Sequence, residues 1–514
     1  MMASVFLSRA MGLVREMVIA HIGGRTAAVD AYQIAFVIPE ILNHVVASGF
    51  LSVTFIPIFA AYLADNREEE GWKVFSIIMT GFGALLLVLV GAAEWFAPQL
   101  VDLFAPGLTD PAVKVDAVRM TRIILPAQIF FFAGGMFMAV QFTKEKFFIP
   151  ALAPLIYNLG IIVGGVVLGR QMGMIGFAWG VLAGAFVGNF LLQWYGGRSV
   201  GMILSFRFNL FHPDLKRYVL LTLPLMVGLT MTFSTEIFLR FFGSYLSGGG
   251  IAALNYSFRV MLILMAFFGQ ALGVASFPFM ARLAAENRMG ELNRILNLAL
   301  RYLALVIPFS VLFMVLRYEI IRILFQHGQF DPADTAVTSN VFLFILVGAA
   351  AFAAQTVVVR GYYAIQNTLF PAVYGTIAVV ASLPLFYFGM RHLGAAGVGL
   401  AISISAIFQV LLLYVIWSRK TENRESRGVY RFYIQMILLS AGMGGLMEGF
   451  RRTVLSGIDS GAFSGSLITC VIVGILFAVL FISAGYLLKI TEIIDVLHRV
   501  RNKLAGKKMA GVGK

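Results

Sequence analysis

The run "FSGSLITCVIVGILFAVLFISAGYLLK", residues 463–489, carries no charge before its last residue, Lys489. As a helix, about 20 such residues cross the ~30 Å hydrocarbon core of a bilayer. A barrel strand would instead alternate in polarity over about ten residues. The run therefore reads as a membrane-spanning helix. Working outward from it, runs of the same kind fall near 3–23, 29–62, 73–97, 117–141, 147–169, 173–196, 217–245, 251–282, 294–324, 336–364, 369–390, 394–418 and 431–450. The expectation is an all-α polytopic membrane protein of about fourteen transmembrane helices.

Composition agrees. Of the 514 residues, 60% are hydrophobic and 12% are charged, and the mean hydropathy is +0.89. A soluble domain carries about 25% charge, and a disordered chain needs low hydrophobicity with high charge, so both classes are excluded. The net charge of +14 is split among short connections rather than gathered in a stripe, which argues against a nucleic-acid partner. The first apolar run already holds Arg9, Arg15 and Glu16, so no cleavable signal peptide is expected. Cys470 is the single cysteine, which excludes a disulfide framework and a Cys-based metal site. No Gly-rich phosphate loop, His/Cys cluster or nucleophile elbow is present, and no connection offers room for a catalytic domain. Neither a cofactor nor a metal is expected; the chain reads as a transporter and not an enzyme.

With both ends inside, the inner connections and tail hold 23 Lys and Arg residues, and the outer connections hold 8. This asymmetry predicts both termini in the cytoplasm. The tail "RVRNKLAGKKMAGVGK" (499–514) would then lie at the anionic leaflet. Prolines inside spans, including Pro39, Pro57, Pro154, Pro278 and Pro384, predict bent helices around a cavity. "YLADNREEEGW" (62–72) recurs in character as "RLAAENRMGELNR" (282–294), each after an apolar helix with an internal proline. Two parallel bundles are the expected meaning of that repeat.

Ionisable groups inside spans are costly and normally face a partner or water. They are Arg9, Arg15 and Glu16 in the first span; Asp30, Glu40 and His44 in the second; Glu236 and Arg240 in the seventh; Arg259 in the eighth; Arg360 in the tenth. Glu236 and Arg240, spaced i,i+4, read as a self-neutralising pair, and Glu40, Asn43 and His44 share a face. Arg15 and Arg259 have no acid at i±4, and the side chain of Glu16, adjacent to Arg15, points about 100° away. An anionic ligand, suited to the bidentate guanidinium, is the favoured partner for both.

Four stretches carry a resemblance. They are "SRAMGLVREMVIAHIGG" (8–24) with "VDAYQIAFVIPEIL" (29–42); "ALNYSFRVMLILMAFFGQALGVASFPFMARLA" (253–284); "FQHGQFDPADT" (325–335); and "RGYYAIQNTLFP" (360–371) with "LGAAGVGLAISIS" (393–405). In this order and spacing the chain resembles the MurJ (MviN) family of lipid II flippases, within the multidrug/oligosaccharidyl-lipid/polysaccharide exporter superfamily. The resemblance implies a six-helix N-terminal lobe (1–197), a cytoplasmic linker (198–216), a six-helix C-terminal lobe (217–419), a helix pair forming a lipid-tail groove (420–490) and a basic tail (491–514). A cationic central cavity between the lobes is also implied.

The implied activity is translocation of undecaprenyl-pyrophosphate-linked peptidoglycan precursor across the bacterial cytoplasmic membrane. Membrane lipids and the cell-wall synthesis machinery are the implied partners, and a monomer the implied state. Carried over by motif, Arg15, Asp30, Arg259 and Arg9 match cavity residues of the family. Glu16, Glu40, Glu236, Arg240 and Arg360 remain candidates for structural or coupling roles.

The chain departs from the family at substrate-site positions Asn43 and His44, where many members have Arg-Arg, and at Ser48-Gly49, where many have Glu-Gly. Leu239 and Asn367 stand where members often have acids, which argues against sodium coupling. Two alternatives remain at this point: a flippase for another undecaprenyl-linked glycan, favoured by Asn43 and His44, or an ion-coupled exporter of small amphipathic molecules. A membrane glycosyltransferase would need an outer catalytic acid, for which Asp102, Asp110, Glu319, Asp331, Asp334 and Asp459 are ordinary candidates.

Overall fold

The computed structural model describes residues 2–44, 49–209 and 211–504. Ser48 and the tail residues Lys507, Lys508 and Lys514 lie outside the described residues. About 84% of the chain is helical, and no strand occurs among the described residues. By length and hydropathy alone, eight helices among the described residues can cross a membrane, or nine when a pair bent by 42°, Pro332–Leu346 and Ala349–Ala364, is taken as one. The chain is a multi-pass membrane protein.

Among the described residues each apolar run is helical, but several are interrupted. The expected second span breaks into Ala27–Ala35, Val37–Leu42 and Gly49–Ala64. The eighth contains a π-helical segment, Ala266–Gln270, between Gly250–Met265 and Ala271–Ala285. Spans eleven and twelve form one helical stretch, Leu369–Lys420, broken at Gly394, where φ is +58°.

The chain divides into two compact units. The first comprises 1–260, 325–338 and 368–402; the second comprises 261–324, 339–367 and 403–514. In the first unit, helices Phe148–Met172 and Met174–Gly184 form a hairpin whose glycines let the backbones nearly touch. A Cβ on Gly164 would lie 2.4 Å from the Cα of Gly180, so backbone packing rather than side-chain burial holds this pair in lipid. In the second unit, Asn293 accepts from Trp417 Nε1 at 2.9 Å and Asn297 accepts from the Tyr414 hydroxyl at 2.7 Å, all four buried. The last two apolar helices, Ser426–Thr453 and Phe463–Leu487, pack with Val306–Val315 through Met436, Met443, Met447, Val473, Phe477 and Phe481.

The repeat suspected from 62–72 and 282–294 extends further in the backbone. Asn66 and Asn287, Glu145 and Gln366, and Gly201 and Glu422 are each 221 residues apart, and all six have positive φ. Each ends a helix with the same 6→1 closure. Arg67 N–H donates to Tyr62 O at 2.8 Å and Arg288 N–H to Leu283 O at 2.9 Å. Lys146 and Asn367 likewise donate to Gln141 O and Tyr362 O, and Met202 and Asn423 to Gly197 O and Ser418 O. This is the Schellman cap, which stops a helix by one left-handed residue. Gly173 and Gly394, also positive in φ, share the 221-residue offset. The two copies therefore match in where their helices stop, even where the residues differ.

Candidate functional site: a charge cluster in the first unit

Helix α1 (Met2–Gly23) places Arg15 and Glu16 in its middle. Arg15 Nη2 lies 2.6 Å from Glu16 Oε1, and its Nη1 donates to Asn158 Oδ1 at 3.2 Å. The expectation that adjacent side chains diverge is thus corrected: the long arginine stem bends across the angular gap and closes the pair. Asn158 is itself held, its Nδ2 donating to Pro154 O at 2.8 Å, one turn back on the same helix. Glu16 is buried, and its other oxygen accepts from Asn255 Nδ2 at 3.3 Å. Tyr32 and Tyr157 stand within electrostatic reach of Arg15.

Arg259 lies on α2 (Gly250–Met265), four residues after Asn255 and so on the same face. Its Nη2 sits 3.7 Å from Glu236 Oε2, on the helix Pro213–Gly243. No acid stands at i±4 of Arg259, and its carboxylate comes from another helix. The contact is loose, and Arg259 Nε is buried with no hydrogen-bond partner among the described residues.

Glu236 also lies 3.5 Å from Arg240, as the i,i+4 spacing predicts. The closer partner of Arg240 is Glu40, which its two terminal nitrogens grip in a fork, Nη1 to Oε2 and Nη2 to Oε1, the latter at 3.2 Å. Arg240 is only 3% exposed. His44 Nδ1 contacts Glu40 O at 2.5 Å, so that nitrogen carries the proton. Asn43 closes the short helix Val37–Leu42, its N–H donating to the Glu40 carbonyl.

The six groups Arg15, Arg240, Arg259, Glu16, Glu40 and Glu236 balance in formal charge. The implied cationic surface is therefore self-neutralised within this unit. Each arginine has a carboxylate, but the three pairs differ in strength: a forked buried pair, a short neighbouring pair and a loose shared one.

Asp30, matched by motif to a cavity residue of the family, is held by backbone amides. Buried, it accepts from Gly249 N–H at 2.6 Å and Ala252 N–H at 2.7 Å, both at the N-terminus of α2. A helix start leaves amides without partners and carries partial positive charge, which is why a carboxylate settles there. Gly249 has φ +86°, and a Cβ there would fall 2.1 Å from the carbonyl oxygen of Arg25. Asp30 thus anchors the helix that carries Arg259. We expect Asp30→Asn to cost about 1–2 kcal/mol of stability and to lower membrane abundance and activity together. Thermal melting in detergent beside an activity assay checks this; lost activity at unchanged melting would return Asp30 to a direct role in the cycle.

Arg9 stands exposed six residues before Arg15 on α1. Arg360 belongs to the second unit, on the helix Ala349–Ala364. Its Nη1 is buried with no hydrogen-bond partner among the described residues, and a Cβ on Gly273 would meet it at 1.9 Å. Sequence reasoning missed Asn158, Asn255, Tyr32 and Tyr157. The signal for the two asparagines was present: each is an amide inside an apolar run, Asn158 four residues after a proline and Asn255 four before an arginine.

Comparisons with known proteins agree with this architecture. The chain is 28% identical over 420 residues to the lipid II flippase MurJ of Thermosipho africanus, covering 81% of this chain and 84% of that protein. Identity to the Burkholderia cenocepacia lipid II flippase MurJ is 26% over 454 residues, covering 86% and 87%. A solved structure of lipid II flippase MurJ in an inward closed conformation superposes with a TM-score of 0.74 at 25% identity, covering 95% of this chain and 99% of that one. An inward-facing MATE family transporter of the MOP superfamily shares the fold, with a TM-score of 0.68 at 14% identity, covering 81% and 94%. The family profile described as "Lipid II flippase MurJ" matches residues 19–465; the chain belongs to the lipid II flippase MurJ family.

Proposed function

We propose that this protein moves lipid II from the inner to the outer leaflet of the bacterial cytoplasmic membrane by alternating access. Fourteen spans are arranged as lobes 1–197 and 217–419 joined by 198–216, with the prenyl tail lying along 420–490. Both termini face the cytoplasm, and the protein acts as a monomer. The observation that carries the reading is the meeting of Arg15, Arg240 and Arg259 with three carboxylates inside an apolar helical bundle. Charges in such a place demand a polar function, and the looser guanidiniums suit a diphosphate. Asn43 and His44, in place of a second arginine pair, offer neutral hydrogen bonds to the sugars. No bond is made or broken: the cycle consists of binding, reorientation and release.

The balanced cluster sets the energetics of coupling. Empty, its six groups move no net charge on reorientation. Loaded, the transporter carries the negative diphosphate outward, which an inside-negative potential favours by about 2.3 kcal/mol per charge per 100 mV. Leu239 and Asn367 supply no carboxylate for a hard cation. Flipping is therefore expected to slow when the potential is collapsed by an ionophore, and to be unchanged when potassium replaces sodium. A strong sodium requirement would overturn this coupling scheme. The function itself is tested by expressing the chain in cells depleted of their own flippase: growth and outward exposure of lipid II should return.

A further inference from the structure

A cavity of about 730 Å³ opens in the first unit, away from the charge cluster, lined by Lys114, Arg119, Arg122, Val118, Trp179 and Leu182 among others. We propose that it binds an anionic glycerophospholipid, with the phosphate on Arg119 and Arg122 and the acyl chains along the apolar wall.

Depth comes first. The stretch Pro111–Thr143 has 33 residues, about 50 Å of helix, against a hydrocarbon core of about 30 Å. Its far end is fixed by Lys144, paired with Glu68. Counting about 20 residues back from Lys144 reaches the opposite boundary near Ile124, so Arg122 and Arg119 fall at phosphate depth and Lys114 above it. Aromatic residues mark the same level independently. Trp179 lines the cavity and Trp95 follows Glu94, whose carbonyl Arg122 meets; both are exposed, as in the belts that sit at membrane interfaces.

Charge chooses the headgroup. Lys114 is paired with Asp102, and Arg122 Nε donates to the carbonyl oxygen of Glu94 at 3.2 Å. Arg119 is exposed, and among the described residues nothing engages its guanidinium. The helix presents Lys114, Val115, Val118, Arg119, Arg122 and Ile123 to the cavity, so cations and aliphatic side chains share one face at helical spacing. A water-soluble anion would leave that apolar wall empty, whereas a zwitterionic lipid would bring its own cation to Arg119. An anionic phospholipid satisfies both parts of the cavity. On the orientation proposed above this is the outer leaflet, but the site does not depend on the transported substrate.

The test is native mass spectrometry of the purified full chain, titrated with phosphatidylglycerol and with phosphatidylcholine. Wild type should prefer phosphatidylglycerol. Arg119→Gln should weaken that lipid about fivefold, the equivalent of about 1 kcal/mol for one charge near the headgroups. Arg119→Gln/Arg122→Gln should abolish the preference while phosphatidylcholine binding stays. Arg119 is exposed, so its single variant reports binding without loss of fold. The proposal is overturned if wild type shows no preference or if the double variant keeps it. It is overturned equally if inorganic phosphate at tens of millimolar displaces the lipid, which would make the site one for free anions.

Discussion

Arg259→Ala should abolish rescue of flippase-depleted cells while the protein folds and accumulates normally. Arg259 is 28% exposed at its side chain, and its ion pair to Glu236 spans 3.7 Å without a hydrogen bond. A pair this loose contributes little to folding, so its loss leaves the helices in place. Its Nε has no partner among the described residues, and a buried donor in that state has everything to gain from an anionic ligand. Two charge-assisted bonds to phosphate, at about 1.5–3 kcal/mol each, amount to roughly 10²–10⁴-fold in affinity. Arg259→Lys should recover only part of this, because an ammonium cannot fork across two oxygens. Titrated expression with immunoblotting separates activity from abundance; normal complementation by the Ala variant at native levels would remove Arg259 from the headgroup site.

Arg240→Ala should also inactivate, but through the fold. Arg240 is buried and holds Glu40 by both terminal nitrogens, with Glu236 3.5 Å away. Removing it leaves Glu40 in the bundle without its cation and Glu236 with only the loose contact to Arg259. Breaking a buried pair in this way costs about 3–5 kcal/mol, enough to deplete the protein from the membrane. The paired variant Glu40→Gln/Arg240→Gln removes both charges at once and should recover most of the lost stability. Melting curves in detergent decide: an Arg240→Ala protein that melts with wild type would mean the fork does not support the bundle. The two arginines thus make opposite predictions from one cluster, set by pair geometry and burial.

The contrast marks what could be read from the chain. Hydropathy is a local property, so the helical runs were evident from stretches such as 463–489. Their interruptions were less legible: the break at Phe36 falls near Pro39, but Pro57, Pro154, Pro278 and Pro384 lie inside continuous helices, and the π segment and the break at Gly394 hold no proline. The pairing of Glu236 with Arg240 was local too. Glu40 and Arg240 are 200 residues apart, and no periodicity links them. The partners of Asp30 were hidden for a related reason: they are backbone amides at Gly249 and Ala252, which a sequence does not display as partners. Arg15 and Glu16 were misjudged by geometry, because a rule about Cβ directions ignores how far an arginine reaches. The 221-residue repeat was legible at Asn66 and Asn287, where the residue is the same, as it is at Gly173 and Gly394. At Glu145 and Gln366, or Gly201 and Glu422, only the left-handed turn is shared.

Transport by purified protein tests most directly whether the arginine–carboxylate cluster carries the lipid headgroup. Purified protein in liposomes loaded with fluorescent lipid II, under an imposed potential, reports translocation from the accessibility of the label. Wild type should flip the label in a potential-dependent way, and Arg259→Ala, reconstituted to the same level, should fall to the rate of empty liposomes. Equal rates for the two proteins would contradict the account, as would wild-type liposomes no faster than empty ones.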